Sequence, residues 1–499
     1  MSFFIRRDHP GSRCGRPVAK YHSAGTKSAP SGHRRFAFGL VALLALLIPV
    51  AGFVPAASTG QREVAAQAST KPNVILIVTD DQRSDFLRYM PIVKRRLVDE
   101  GTTFVNAFAQ TPTCCPSRAN ILTGQYTHNH EIWHNIGPLG GAVKFRENGG
   151  DRTTIATSLQ TAGYTTGLFG KYMNEYKHIK SYIPPGWDTG VAHTSGFPYY
   201  DYHMNENGTD RYYGTQESDY STDVLKRKAI DFIKETPGPF FLYFAPHAPH
   251  NADGGPATPA PRHRDQCGGL KFPIPPSFNE EDMTDKPAWM RNRYKPLTQD
   301  EIVDLQRQRT AHVCSLKAVD EAVGAMFTAL GTRANNTVVI YMSDNGFSFG
   351  EHRYVAKICA YEECIRVPLV IRAPMVSRTK RTVTGMAQNI DVPVTIALLT
   401  GARIPAGANG KSLLPILAGE RDSVRDTLLI EYYNRVNDAY DAAVRTDRFK
   451  YVRLGQTREE EFYNLVEDPY ELTNQIAAPK YAEEIRRLKD ELAALRNVP

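Results

Sequence analysis

The stretch TPTCCPSRANILTG, residues 111–124, sets two adjacent cysteines directly before Pro-Ser-Arg. A cysteine serves as a nucleophile, a metal ligand, half of a disulfide or a small apolar filler. A disulfide between neighbours would be strained, and a zinc site would need further soft ligands. Pro116 suits the first turn of a helix that Ala119 to Leu122 can continue to Thr123-Gly124. The cysteines then stand at a helix N-terminus, where unpaired N–H groups and the dipole favour an anion.

Other reactive residues follow short apolar runs. Asp80-Asp81, Gly170-Lys171, His247 with His250, and Asp344-Asn345 each close one. Taken singly, each has a plain reading: SDNG is a good turn, and a lysine after glycine is usually solvated. Their repetition at strand ends shifts the balance. Asp80, Asp81, Asp344 and Asn345 offer hard oxygen ligands and no soft ones, which suits calcium or magnesium rather than zinc. Arg118, Lys171, His250 and Lys357 would surround that metal. A metal and several protein cations at one edge demand an anion with several oxygens, such as sulfate or phosphate.

The elements that must position these groups are legible in outline. Val74 to Val78 is a β-branched run that reads as a buried strand. Similar runs recur at 166–172, 239–250, 336–346 and 367–374, with helical patterns between them. One helix starts at Thr298 with Glu301 three residues on, a capping box. It ends with Val319, Val323, Met326, Phe327 and Leu330 on one face and Gly331 as its cap. Apolar strands alternating with helices predict an α/β fold, a mostly parallel sheet sandwiched by helices. In such sheets ligands bind beyond the carboxyl ends of the strands. Residues 251–297, rich in Pro, Gly and charge, read as a long insertion over the sheet, suited to a lid. After about residue 420 the texture changes to short antiparallel strands. A final helix has Tyr481, Ile485, Leu488, Leu492 and Leu495 on one face. These form a small C-terminal antiparallel sheet plus helix.

The net charge of +7 points away from nucleic acid once it is located. Arg6, Arg7, Arg13, Arg16, Lys20, Lys27, Arg34 and Arg35 face a single acid, Asp8, in the first 35 residues. The rest of the chain carries equal numbers of acidic and basic residues. Arg34-Arg35 precedes FAFGLVALLALLI, which reads as an export signal, with an uncleaved anchor as the alternative. Either places the bulk of the chain outside the cytoplasm. Seven cysteines are too few for a disulfide scaffold in 499 residues. Cys359 with Cys364, and Cys267 with Cys314, are possible pairs that spacing leaves open.

Cys114-x-Pro116-Ser117-Arg118, four residues, then Thr123-Gly124 resembles the sulfatase motif C-x-P-S-R-x4-T-G. The resemblance covers roughly residues 72 to 475. It includes Asp80-Asp81, Gly170-Lys171, the APH sequence, Asp344-Asn345-Gly346, and Lys357 followed by Arg366-Val367-Pro368. It implies an alkaline-phosphatase-like fold and conversion of Cys114 to formylglycine by a formylglycine-generating enzyme. It also implies one calcium ion held by Asp80, Asp81, Asp344, Asn345 and the modified Cys114. Arg118 then steadies the modified residue, Lys171 and Lys357 bind sulfate oxygens, and His250 protonates the leaving oxygen, with His247 the alternative. Cys115 falls at the variable position, a packed spectator. Many sulfatases follow the Gly-Lys with an aromatic residue and a catalytic histidine. Here Met173 stands in its place, so that role is absent or filled elsewhere.

The GKY-x-NEY form, with YIPPGW and CCPSR, is similar to the N-acetylglucosamine-6-sulfatase and heparan-sulfate 6-O-endosulfatase branch. It implies a sulfated sugar, or an aryl sulfate, as substrate. The implied division is a signal or anchor over 1–57, a linker over 58–71, a catalytic domain over 72–420 and a subdomain over 421–499. Two other readings remain at this point: a phosphonate or phosphate monoester hydrolase of the same superfamily, and a non-catalytic carbohydrate-binding envelope protein.

Overall fold

Val74, Leu76 and Val78 belong to one buried cluster and Ile75 and Ile77 to another, so the strand they form is covered on both sides. Each such side chain, fully withdrawn from water, contributes about 1.5–3 kcal/mol. A computed structural model describes residues 71–499 except 195, 197–198 and 435–437. The signal or anchor, Cys14 and the linker up to residue 70 lie outside the described residues.

The strand Asn73–Thr79 sits inside a 10-stranded sheet. It pairs in parallel with Phe240–Ala245 on one side and Thr337–Ser343 on the other. Beyond Phe240–Ala245 lie Thr165–Gly170 and then Thr189–His193, again parallel. The flanks are mixed: Leu369–Arg372 runs antiparallel to Thr337–Ser343, and Tyr202–Glu206 antiparallel to Thr189–His193. The run at 367–374 is therefore a strand, but it reverses the direction of its neighbours.

Helices cover both faces. On one side Ser221–Glu235 and Gln299–Leu330 contribute Val224, Leu225, Leu316 and Val319 to the core. On the other, Cys114–Thr123, Ile155–Thr161 and Asp391–Thr400 contribute Ala119, Ile121, Ile155 and Ile396. The long helix starts as its sequence predicts, with the Thr298 side chain accepting the Glu301 N–H and the Glu301 side chain reciprocating. Among the described residues no helix is long and apolar enough to cross a membrane.

Residues 251–297 contain no long element, but they are packed rather than loose. Ala257, Ala260 and Phe272 join the core on one sheet face, and Met283, Trp289 and Met290 join another cluster. Cys267 is disulfide-bonded to Cys314 of the long helix, and Cys359 to Cys364. The C-terminal sheet is an antiparallel meander of Leu428–Asn434, Ala439–Arg445, Phe449–Arg453 and Glu460–Asn464. One face packs Leu429, Val444 and Phe462 against Ile485, Leu488 and Leu492 of the helix Ala482–Arg496. The other face packs Ile430 and Val452 with Tyr361 and Cys364.

Candidate active site

Four adjacent parallel strands end at one edge and deliver the reactive residues there. Asn73–Thr79 leads to Asp80 and Asp81, Thr337–Ser343 to Asp344 and Asn345, Phe240–Ala245 to His247 and His250, and Thr165–Gly170 to Lys171. Parallel pairing is the reason: equal direction puts every carboxyl end on the same side. The helix Cys114–Thr123 starts at this edge, with Gly124 closing it in the left-handed region at φ 75°. Lys357 arrives from the loop after Val355–Ala356.

The side chains converge tightly. Cys114 Sγ lies 3.3 Å from Asp80 Oδ1, 3.9 Å from Asp81 Oδ1 and 2.7 Å from Lys357 Nζ. Lys171 Nζ donates to Asp80 Oδ2 at 2.6 Å, and Lys357 Nζ donates to Asp81 Oδ1. Arg118, fully buried, donates from Nε to Asp344 Oδ2 at 2.9 Å and from Nη1 to the Lys171 carbonyl at 2.7 Å. His247 Nδ1 is 3.5 Å from Asp80 Oδ2, and His250 Nε2 is 3.5 Å from Asp81 Oδ2. The two rings stand 4.8 Å apart, and both reach toward the Asn251 carbonyl.

Burial and charge set the protonation of these groups. Burial works to raise the Asp80 carboxyl, but Lys171, His250 and Arg118 around it hold it well below the usual carboxylate range. Asp81 is likewise held down, chiefly by Lys357 against its own burial. Burial and the neighbouring Asp80 push the Asp344 carboxyl up to about 6. The Cys114 thiol is pushed far up by burial and by Asp80. Burial pushes the His250 imidazole down to about 3.

The donor set fits a hard cation. Ligand atoms of Asp80, Asp81, Cys114 and His250 all lie within 4.8 Å of one another. Asn345 donates from Nδ2 to Asp81 Oδ1 at 2.7 Å, and its own Oδ1 is buried without a hydrogen-bond partner among the described residues. An orphaned amide oxygen beside two carboxylates is what an oxygen-seeking cation satisfies. Asp344 joins through its backbone neighbours: its Oδ1 accepts the N–H of Asp81 at 3.1 Å and of Asn345 at 2.9 Å.

Motif residues and others that the sequence did not single out complete the surroundings. Ser117 donates to the Asp344 carbonyl and accepts from Asn389 Nδ2 at 2.9 Å, tying the helix start to the strand end. The Cys115 N–H donates to Asn135 Oδ1 at 2.8 Å. Its thiol is buried against Met173, with the sulfurs 3.5 Å apart, so this cysteine packs rather than reacts. His312 approaches Asn251 Oδ1 at 2.9 Å, behind the histidine pair. His193, at the end of Thr189–His193, is buried near Lys171. The apolar-run signal could not have found it, because TGVAH is not an apolar run.

The chain is similar to known proteins along most of its length. Residues 72–402 match the family described as Sulfatase, and residues 350–498 match N-sulphoglucosamine sulphohydrolase, C-terminal. A putative extracellular sulfatase Sulf-1 homolog of Caenorhabditis elegans is 35% identical over 381 residues, 72% of this chain and 52% of the relative. The chain thus spans about half the length of that relative. Human N-acetylglucosamine-6-sulfatase is 33% identical over 391 residues, 75% of this chain and 70% of its own. A solved structure in complex with its substrate D-glucosamine-2-N,6-O-disulfate superposes with a TM-score of 0.73 at 25% identity, covering 86% of this chain and 98% of its own. The phosphonate monoester hydrolase of Agrobacterium radiobacter shares the fold, with a TM-score of 0.67 at 21% identity over 85% of this chain and 95% of its own. With two thirds of its length matched and the motif cysteine set among the carboxylates and lysines of one strand edge, the chain belongs to the sulfatase family.

Proposed function

We propose that the protein is a sulfuric ester hydrolase that releases inorganic sulfate from a sulfated sugar, with amino sugars the favoured class and aryl sulfates accepted. The observation that carries this reading is Cys114 Sγ at a helix N-terminus, 3.3 Å from Asp80 Oδ1 and 2.7 Å from Lys357 Nζ. The substrate class draws support from relatives named N-acetylglucosamine-6-sulfatase and from the neighbour bound to a glucosamine disulfate.

Asp80, Asp81, Asp344 and Asn345 would hold calcium, with an oxygen of the modified residue 114 completing its shell. Conversion of Cys114 to formylglycine would supply a hydrated aldehyde, whose two hydroxyls give both a nucleophile and an internal route for sulfate release. The chain's own groups do the rest. Lys171 and Lys357 bind the sulfuryl oxygens and stabilise the charge that builds on them. Arg118, fixed by Asp344 and the Lys171 carbonyl, keeps residue 114 in place. We assign the proton for the leaving oxygen to His250, with His247 beside it as the alternative. Burial favours the neutral His250 ring, and an anionic ester next to it favours the protonated form.

By this reading the region 72–420 is catalytic, 421–499 is a C-terminal subdomain and the N-terminal segment directs export. Two disulfides suit an oxidising compartment. Mass spectrometry of the peptide spanning residue 114, from the native host, tests the mechanism. The expected result is a modified residue, with turnover lost in Cys114→Ala and reduced by a calcium chelator. An unmodified thiol together with full activity would overturn it. Comparing sulfate and phosphate esters of one alcohol separates it from a phosphatase.

A further inference from the structure

A cavity of about 270 Å³ lies beside the reactive centre, walled by Lys171, Met173, Asn174, Glu175, Tyr176 and His193 among others. Two of these residues carry buried polar atoms that nothing satisfies. Both ring nitrogens of His193, and Asn174 Oδ1, have no hydrogen-bond partner among the described residues. His193 is 6% exposed and Asn174 9%. A buried polar group left unpaired is costly, and a fold retains that cost where a ligand removes it. Two other polar walls are already engaged. Glu175 accepts the Gly137 N–H at 2.9 Å, and the Tyr176 hydroxyl donates to the Tyr182 carbonyl.

The position of the cavity says which part of a substrate it takes. Lys171 belongs both to its wall and to the centre, where its Nζ lies 2.6 Å from Asp80 Oδ2. A sulfate group held by Lys171 would direct the alcohol part of the ester here. A neutral imidazole offers one donor and one acceptor, and Asn174 Oδ1 offers an acceptor. That set matches ring hydroxyls or an amide N–H, and Met173 supplies an apolar surface for the ring's C–H face. The phenyl ring of an aryl sulfate has no group to match the orphaned atoms.

We propose that His193 and Asn174 are specificity-determining residues that bind the polar groups of the sugar ring bearing the sulfate. The inference rests on the sulfatase reading and deepens it. It is tested on the full-length chain with glucosamine 6-sulfate and 4-nitrophenyl sulfate. His193→Ala and Asn174→Ala each lower the ratio of kcat/KM, sugar over aryl, on the order of 10-fold to 100-fold. His193→Gln, which keeps a donor and an acceptor, recovers part of the ratio. A second readout needs no turnover. In a Cys114→Ser background, calorimetry should show His193→Ala weakening glucosamine 6-sulfate more than inorganic sulfate. An unchanged ratio in both alanine variants, or equal weakening of both ligands, overturns the inference. If the wild type hydrolyses neither ester, the proposed function fails instead, and the calorimetric comparison still decides this one.

Discussion

A carboxylate buried among cations and an imidazole buried without a carboxylate partner are both driven from their ordinary state, for different reasons. Asp80 and Asp81 stay ionised because lysines sit on them, while burial alone would have protonated them. His130 has no such compensation. It is buried, its Nδ1 accepts the Ile132 N–H at 3.0 Å, and burial, with His128 nearby, pushes it down to about 3. Protonation would turn that acceptor into a donor facing a donor. An unfolded histidine titrates near 6.5. The folded value is depressed, so the contribution to stability is whole above about 6.5 and is lost as pH falls toward about 3. The stability advantage of the wild type over His130→Gln should shrink by about 1.4 kcal/mol per pH unit below pH 6. Urea unfolding of both proteins at pH 7 and pH 5 measures it. An advantage that stays constant would contradict the assignment.

Among the elements, the strand Thr165–Gly170 shows how a single glycine positions the lysine that follows it. Gly170 adopts φ 112°, and a Cβ built there would meet the Ala245 carbonyl oxygen at 2.1 Å. That same carbonyl accepts the Lys171 N–H at 2.8 Å. Glycine thus lets two strand ends approach closely enough to aim Lys171 at Asp80. Gly170→Ala should cost more than about 2 kcal/mol and lower turnover at least about tenfold, because the strand end carrying Lys171 must move. Thermal melts and kcat on one substrate measure the two effects. A variant with full activity would show that Lys171 needs no such placement.

The same scale shows what local pattern could and could not reveal. The runs at Val74 to Val78 and 336–346 are strands because five or more consecutive apolar residues can only be buried on both faces. The Thr298 capping box and the Gly331 cap announced the two ends of one helix for equally local reasons. Thr189–His193, Tyr202–Glu206 and Thr209–Tyr213 carry no such signal, since TGVAH, YHMNE and TDRYY become strands only by pairing with neighbours. The reversed direction of Leu369–Arg372 is equally invisible, because parallel and antiparallel strands share one composition here.

For the whole molecule, long-range ties hold the insertion and the C-terminal sheet in place. Cys267–Cys314 closes a separation of 47 residues and fastens the insertion to the long helix. Glu362, half-buried, accepts from Arg445, Lys450 and Arg366, joining the loop after Lys357 to the small sheet. Replacing Cys267 and Cys314 by serine should lower stability by up to about 4 kcal/mol, the chain-entropy value for a loop of this length. Denaturant unfolding of the oxidised protein against the double variant measures it, and equal midpoints would show that packing alone secures the insertion.

The sequence by itself determined the family and the α/β alternation that places strand ends together, and it carries the motif that selects Cys114 with the acidic, amide and basic residues we propose around it. These follow from residue type and near-neighbour spacing, which act over a few residues. Only the tertiary structure decided that His193 and Asn174 face a common cavity beside Lys171, that Cys115 is packed on Met173, and that Asn345 meets Asp81 through its amide nitrogen. Each depends on strands and loops far apart in the chain meeting at one edge. No local pattern encodes such a meeting, because the energy that fixes it arises from burial shared across the sheet.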